Sequence, residues 1–333
     1  MDLLDRVRAT GLLPAAEPVV VLLSGGRDSV CLLDVAARLA GTGAVLALHV
    51  NYGLRDAAGA DEAFCRALCE QLGVALEVET AQRPGDAGNL QAWARDVRLG
   101  AGARLALARG ARLATGHTAS DQAETVLYRL AASPGRRALL GMSARDGLLV
   151  RPLLAVTREE TGAHCAARGL RWRDDASNED RAYARNRARA GLVPALRELH
   201  PAAEQNVVRT AQLLREEAAV LDEVVATALA GRDHIAVAHL GALPPALARL
   251  VVRRLAEDAV DGLCARAPGR LDEILALGDG ALDLGDGARA VVSGGLLRVE
   301  PTPPGRSAPR DRARYVSLGA DVTGQAPAPR PSS

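Results

Sequence analysis

Lysine is missing from this chain of 333 residues, so all 41 of its basic side chains are arginine. One large class of nucleotide-binding protein falls away with it, because the phosphate loop that closes on Gly-Lys-Ser or Gly-Lys-Thr cannot be written. Aromatic residues make up only 2% of the chain, too few for the stacking platform of a single-strand nucleic-acid binder. No apolar run approaches the about 18 residues of a membrane span, and Asp2 and Asp5 stand where a secretory signal would be basic and then apolar. The sequence therefore predicts a cytoplasmic protein with no membrane partner. Cys31, Cys65, Cys69, Cys165 and Cys264 contain no CxxC pair, and their odd number in a chain without a signal predicts reduced thiols. Cys65 and Cys69 share a helical face and are expected in a core. The net charge of +1 offers no global attraction to nucleic acid, so any such binding needs a local patch.

What is present is a large apolar fraction, 48%, in a chain long enough for two domains. In the first half, short apolar runs at Val19–Leu23, Ala44–Val50, Ala75–Val78 and Arg112–Thr115 read as strands. Between them Ser29–Leu39, Asp61–Leu72 and Leu90–Arg109 carry apolar residues at three- and four-residue spacing and read as helices. The alternation predicts an α/β fold with a doubly wound, mostly parallel sheet, whose ligands bind beyond the carboxyl ends of the strands. A helix over Thr157–Arg168 and a long helix over Ala203–Ala230, read as a connector, lead to a small mixed α/β domain. That domain holds a helix at Pro244–Val260 and strands at Leu282–Leu284, Ala288–Val292 and Leu296–Val299, joined by Gly-Asp and Gly-Gly turns. From Pro301 onward Pro, Arg, Ala and Gly dominate, which predicts disorder.

The segment with the clearest chemistry runs from Val19 to Ser29: a buried strand, the turn Ser24-Gly25-Gly26, then Arg27, Asp28 and Ser29 opening a helix. Backbone N–H groups at such a turn and helix start attract oxyanions, and Ser24 and Ser29 add hydroxyl donors. Asp28 is foreign to a pure anion site and makes sense if it holds a Mg²⁺ beside phosphates. The plain alternative is a tight turn capped by Asp28 and Ser29. Further along, Asp121 and Glu124 are three residues apart at a helix start, where their carboxylates share a face and could hold a cation or simply complement the helix dipole. Arg181, Arg185, Arg187 and Arg189 form an acid-free basic stretch with Asn186, suited to a nucleic-acid backbone or else to a solvated face.

The SGGxDS string at Ser24–Ser29 resembles the pyrophosphate-binding loop of the ATP pyrophosphatase superfamily, whose members cleave ATP to AMP and pyrophosphate while adenylating a substrate oxygen. Later segments are similar to those of the tRNA(Ile)-lysidine synthase family: HVNYGLR at His49–Arg55, NLQAWARDVR at Asn89–Arg98, GHTASDQAET at Gly116–Thr125, RPLL at Arg151–Leu154, and the W-x-D…S-N…R-N-x-x-R stretch within Arg171–Arg189. They cover roughly residues 17–200 in the family's order. The resemblance implies an adenine nucleotide alpha hydrolase-like fold, with ATP on Ser24, Gly25, Gly26, Arg27, Asp28 and Ser29. It further implies Mg²⁺ on Asp28 and Asp121, and lysine on Asp121 and Glu124. Arg98 would act as a catalytic cation near the phosphates, His117 and Arg55 as secondary nucleotide or base contacts, and Arg181, Arg185, Asn186 and Arg189 as a grip on tRNA. The implied reaction joins free L-lysine to C2 of the wobble cytidine in the CAU anticodon of isoleucine tRNA.

Three departures from the family pattern stand out: Ser120 where an aspartate is usual, Ala132-Ser133-Pro134-Gly135 in place of RGSG, and Tyr52 for a usual histidine. Two rivals remain. A tRNA cytidine thiolase shares the loop but would need activated cysteines, usually as CxxC, which this chain lacks. A non-catalytic tRNA-binding protein would not need Asp28, Arg98, Asp121 and Glu124 together. The domain expectation is an ATP-binding catalytic domain over 1–200, a connector over 201–232, a small tRNA-binding domain over 233–300 and a tail over 301–333. Oligomeric state is left open, a homodimer included.

Overall fold

The computed structural model describes residues 2–53, 58–84, 90–132, 136–173 and 188–303, the side chains of Gln91 and Arg189 excepted. The described chain forms two compact units that divide between Leu214 and Arg215, inside the long helix.

The first unit begins with α1 (Leu3–Ala9) and then alternates β1 (Val19–Leu22), α2 (Arg27–Ala40), β2 (Val45–Asn51), α3 (Ala58–Leu72), β3 (Ala75–Thr80), α4 (Leu90–Ala108) and β4 (Arg112–Ala114). It continues with α5 (Ala119–Ala132), α6 (Arg136–Leu139), β5 (Arg145–Asp146), β6 (Leu149–Val150), α7 (Arg158–Ala167), α8 (Val193–Leu199) and the start of α9 (Ala203–Leu229). The sheet order is β3-β2-β1-β4-β6-β5. β3, β2, β1, β4 and β6 pair in parallel, and β5 joins β6 antiparallel. The chain order reverses between β1 and β4, which is the switch point where such sheets open a crevice.

β1 lies at the centre and is buried at every position, so it reads as an unbroken apolar run. Its alternation still assigns faces. Val19, Val21 and Leu23 pack on one layer with α2, while Val20 and Leu22 join the opposite core with Ala101 and Ala106 of α4. Gly102 lets α4 lie close to the sheet, since a Cβ there would come within 2.6 Å of Leu113 Cδ1. Edge strand β3 alternates more exposed and more buried residues, as one open side requires. All five cysteines are free and buried, Cys65 and Cys69 in the core as their spacing indicates.

The second unit has a four-stranded antiparallel sheet, β7-β10-β9-β8, from β7 (His234–Ala236), β8 (Gly280–Gly285), β9 (Ala288–Ser293) and β10 (Leu296–Pro301). Its helices are α10 (Val237–Ala242), α11 (Pro245–Val260) and α12 (Leu271–Ala276). Ala288, Ala290 and Val292 of β9 alternate inward against Val251, Val252 and Leu255 of α11, and Val225 and Leu229 at the end of α9 belong to the same core. The expected Gly turns are present: Gly294 and Gly295 have φ of 55° and 74° between β9 and β10, where a two-residue hairpin turn demands left-handed backbone. Pro301, expected to open the tail, still lies in β10 opposite Ala288. The hairpin of β5 and β6 escaped the sequence because each strand has only two residues. Among the described residues no helix is long and apolar enough to cross a membrane.

Candidate active site at the carboxyl edge of the parallel sheet

β1 ends where the Leu23 N–H donates to Leu48 O at 2.9 Å, and the chain then turns through Ser24, Gly25 and Gly26 into α2. Gly25 has φ +82°, a left-handed backbone that glycine adopts without penalty, and a Cβ there would press on the Phe64 ring at 3.3 Å. The turn is tied by its serines. Ser29 Oγ donates to Gly26 O at 2.8 Å, Ser24 N–H donates to Ser29 Oγ at 3.2 Å, and the two hydroxyl oxygens lie 3.1 Å apart. Gly26 caps α2 without a side-chain hydrogen bond, so the opening N–H groups of a 14-residue helix face outward with its dipole behind them. The capping role that Asp28 and Ser29 could have had is therefore not theirs. Gly116, after β4, packs directly on this loop: a Cβ there would lie 2.9 Å from Asp28 O and 3.1 Å from Ser29 N.

Two clefts flank the loop. One of about 180 Å³ is lined by Ser24, His49, Asn51, Tyr52, Asp61 and Arg98, and another of about 130 Å³ by Ser24, Ser29, Arg98, Thr115, Gly116 and His117. Ser24 and Arg98 border both, so the arginine read from α4 stands beside the loop. A larger cleft, about 660 Å³, opens at the amino ends of the strands, but among the described residues Arg109 is the only charged one on its wall. Tyr52 takes its own place in the wall: its hydroxyl donates to Ala94 O at 2.9 Å and its ring meets Trp93 edge-on at 5.6 Å. His117 Nδ1 lies 2.8 Å from Thr115 Oγ1. Burial pushes the His117 imidazole down to about 4, against the pull of Asp121, so it is neutral at pH 7.

The acids converge on a residue that motif reading passed over. Arg158, the first residue of α7, directs Nε to Asp28 Oδ2 at 3.4 Å, Nη2 to Asp121 Oδ1 at 3.1 Å and Nη1 to Glu124 Oε1 at 3.4 Å. Thr161, one turn on, donates from Oγ1 to Asp28 Oδ1 at 2.5 Å, and Arg27 Nε lies 3.3 Å from the same oxygen. Desolvation pushes the Asp121 carboxyl up, but the Arg158 guanidinium, His117 and two hydrogen bonds from Thr118 outweigh it and hold Asp121 below the usual carboxylate range. Desolvation likewise pushes Arg158 down and the three acids pull it up further. One signal in the sequence could have found it: a cation in the first turn of a helix opposes the dipole, so an arginine just after the capping residue Thr157 implies acids nearby.

Ser120, the departure from the family pattern, also has a place. Its Oγ accepts the Arg158 backbone N–H at 3.3 Å and so anchors the start of α7. Arg173 N–H donates to Gly25 O at 3.0 Å, and its Nε reaches Asp61 at 2.5 Å. Arg55, Arg181, Arg185 and Asn186, with the Ser133–Gly135 part of the altered loop, lie outside the described residues; Arg189 sits in the π-helical turn Ala188–Leu192, its side chain outside them as well.

Among the described residues no three His, Cys, Asp or Glu side chains close on one point as a complete metal shell would. Asp28 and Asp121 nonetheless face one guanidinium from two sides, and two carboxylates completed by substrate phosphates are a common way to hold Mg²⁺. The donor set fits that ion.

Residues 6–196 match the model of the PP-loop domain family. The chain is 40% identical over 313 residues to a tRNA(Ile)-lysidine synthase of Thermus thermophilus, covering 89% of this chain and 61% of that protein. It is 40% identical over 304 residues to one of Salinispora tropica, covering 86% of this chain and 91% of the relative. The chain thus spans about three fifths of the first relative and nearly all of the second. Among solved structures, a U34-tRNA thiolase of Methanococcus maripaludis superposes with a TM-score of 0.55 at 18% identity, over 64% of this chain and 78% of that one, which is a likeness of fold. With the PP-loop domain matched over residues 6–196 and relatives 40% identical over most of the chain, the chain belongs to the tRNA(Ile)-lysidine synthase family, its first unit built on the PP-loop domain.

Proposed function

We propose that the protein joins free L-lysine to C2 of the wobble cytidine in the CAU anticodon of isoleucine tRNA, at the expense of ATP. One observation carries the proposal: Asp28, Asp121 and Glu124 converge on a cationic side chain directly beside a phosphate-binding turn. A site of that kind suits a substrate that brings an ammonium to a nucleotide's phosphates. ATP would lie on Ser24–Ser29, its phosphates against the outward N–H groups, with Arg98 supplying charge as pyrophosphate or AMP departs. When bound, Mg²⁺ on Asp28 and Asp121 would neutralise phosphate charge.

The C2 oxygen of the cytidine attacks the α-phosphate and expels pyrophosphate. The lysine ammonium gives up one proton to Glu124 or to solvent, and the free amine then attacks C2 and expels AMP, leaving lysidine. Asp121, held below the ordinary carboxylate range by the Arg158 guanidinium beside it, is suited to facing an ammonium. Neutral His117 is suited to hydrogen bonding with nucleotide or base. Arg55, Arg181, Arg185, Asn186 and Arg189 are proposed to meet the tRNA. The proposal places this reaction in the cytoplasm. The thiolase alternative is disfavoured by five buried cysteines without a CxxC pair, burial pushing Cys65 and Cys69 up to about 12 and about 11.

The test is incubation of the full chain with ATP, labelled lysine and an isoleucine tRNA carrying CAU. Label should enter the tRNA with release of AMP and pyrophosphate. Intact ATP binding without lysine incorporation would exclude the proposal.

A further inference from the structure

Arg158 is bound where the proposed function needs a different cation. Its guanidinium spans all three acids, one nitrogen to each, and all three contacts, at 3.1–3.4 Å, are longer than the about 2.7–2.9 Å of a tight charge-assisted hydrogen bond. Its backbone is the fixed part. Thr157 and Glu160 form a complete capping box around it, and Ser120 accepts its N–H, so the base of the side chain is held while its head rests on loose contacts. The head is also poorly placed with respect to its own helix, since a positive charge in the first turn of α7 opposes the dipole. Three carboxylates hold it there. The acids stand around a planar guanidinium and, among the described residues, do not close as a metal shell.

We propose that Arg158 is an internal place-holder, a guanidinium that neutralises Asp28, Asp121 and Glu124 until an incoming cation displaces it. It holds the three acids spaced around one positive charge, and it makes every cation that loads the site compete with a tethered one. The inference rests on the proposed function for the identity of those cations, Mg²⁺ or the ammonium of lysine, and on the geometry alone for the exchange. Arg158 is a positioning residue that acts through the acids. An occupant seated nine-tenths of the time weakens apparent binding about tenfold, so its removal should restore that factor.

The experiment measures binding to the full chain without nucleotide or tRNA, Mn²⁺ by electron paramagnetic resonance and L-lysine by calorimetry, for wild type, Arg158→Gln, Arg158→Ala and Arg158→Lys. Either neutral variant should bind Mn²⁺ or lysine about tenfold more tightly than wild type. Arg158→Lys, which keeps the charge, should stay near wild type. Tightening for Mn²⁺ alone identifies a divalent metal as the displacing cation, and tightening for lysine alone identifies the ammonium. Unchanged or weaker binding of both in folded neutral variants overturns the exchange, as does equal tightening in Arg158→Lys. Failure of wild type to modify tRNA while neutral variants bind Mn²⁺ more tightly would reject the lysidine reading and leave the exchange standing.

Discussion

A Cβ on Gly116 would lie 2.9 Å from Asp28 O and 3.1 Å from Ser29 N, and both are backbone atoms that cannot rotate aside. The glycine therefore sets how closely the end of β4 approaches the Ser24–Ser29 loop. Gly116→Ala should cost about 1–3 kcal/mol through overpacking and should weaken ATP binding more than tRNA binding, since the displaced atoms belong to the loop. Calorimetric titration with ATP beside a denaturant melt checks this, and wild-type ATP affinity in a folded variant would show the loop yields freely. Arg158 and Thr161 make the complementary point at the same scale. Neither belongs to a motif, yet both bind Asp28 from across the fold.

Helix α7 holds its place against α2 through more than the active site. Asp34, on α2, is buried at 1% exposure, receives a hydrogen bond from His164 Nε2 at 2.8 Å and faces Arg168 at 3.3 Å. Burial pushes its carboxyl up, and the His164 and Arg168 partners overcome that and lower it below 3.8. A carboxyl that titrates lower when folded contributes stability that is complete above its unfolded value and is lost as pH falls through the folded one. Asp34→Asn should therefore destabilise the protein at pH 7 by about 1.5–3 kcal/mol, the range for hydrogen bonds to a charged group. The gap to wild type should narrow below pH 3.8, because the wild-type acid is then being protonated. Parallel melts across pH decide it; a gap that stays constant down to the acid limit would mean the cluster acts by shape alone. Because α7 carries Arg158, such variants should also loosen the acid site.

For the molecule as a whole, the proposed tRNA contacts fall on a charge pattern that is local, since the net charge is only +1. Replacing both Arg185 and Arg189 by Ala should weaken tRNA binding and flatten its dependence on salt by about two counterions, while ATP affinity stays as it is. Filter binding over a salt series reads the slope, and an unchanged slope would return these arginines to plain surface. The second unit has its own core around Val251, Val252 and Leu297, so substitutions inside that core should act on its stability and leave ATP binding alone.

The sequence by itself determined the order of strands and helices from β1 to β4, because β1 and β2, buried on both faces, read as unbroken apolar runs while α2 keeps an apolar stripe of helical period. It also determined the Ser24–Gly26 turn, since Gly25 and the paired serines act within six residues of chain. Local contacts leave local signatures. The two-residue strands β5 and β6 left none, being too short for a period. Only the tertiary structure decided what the acids face. Asp28, Asp121 and Arg158 are far apart in sequence and meet because α2, α5 and α7 all start at the carboxyl edge of one sheet, and no spacing rule links residues that a fold brings together by three separate crossovers.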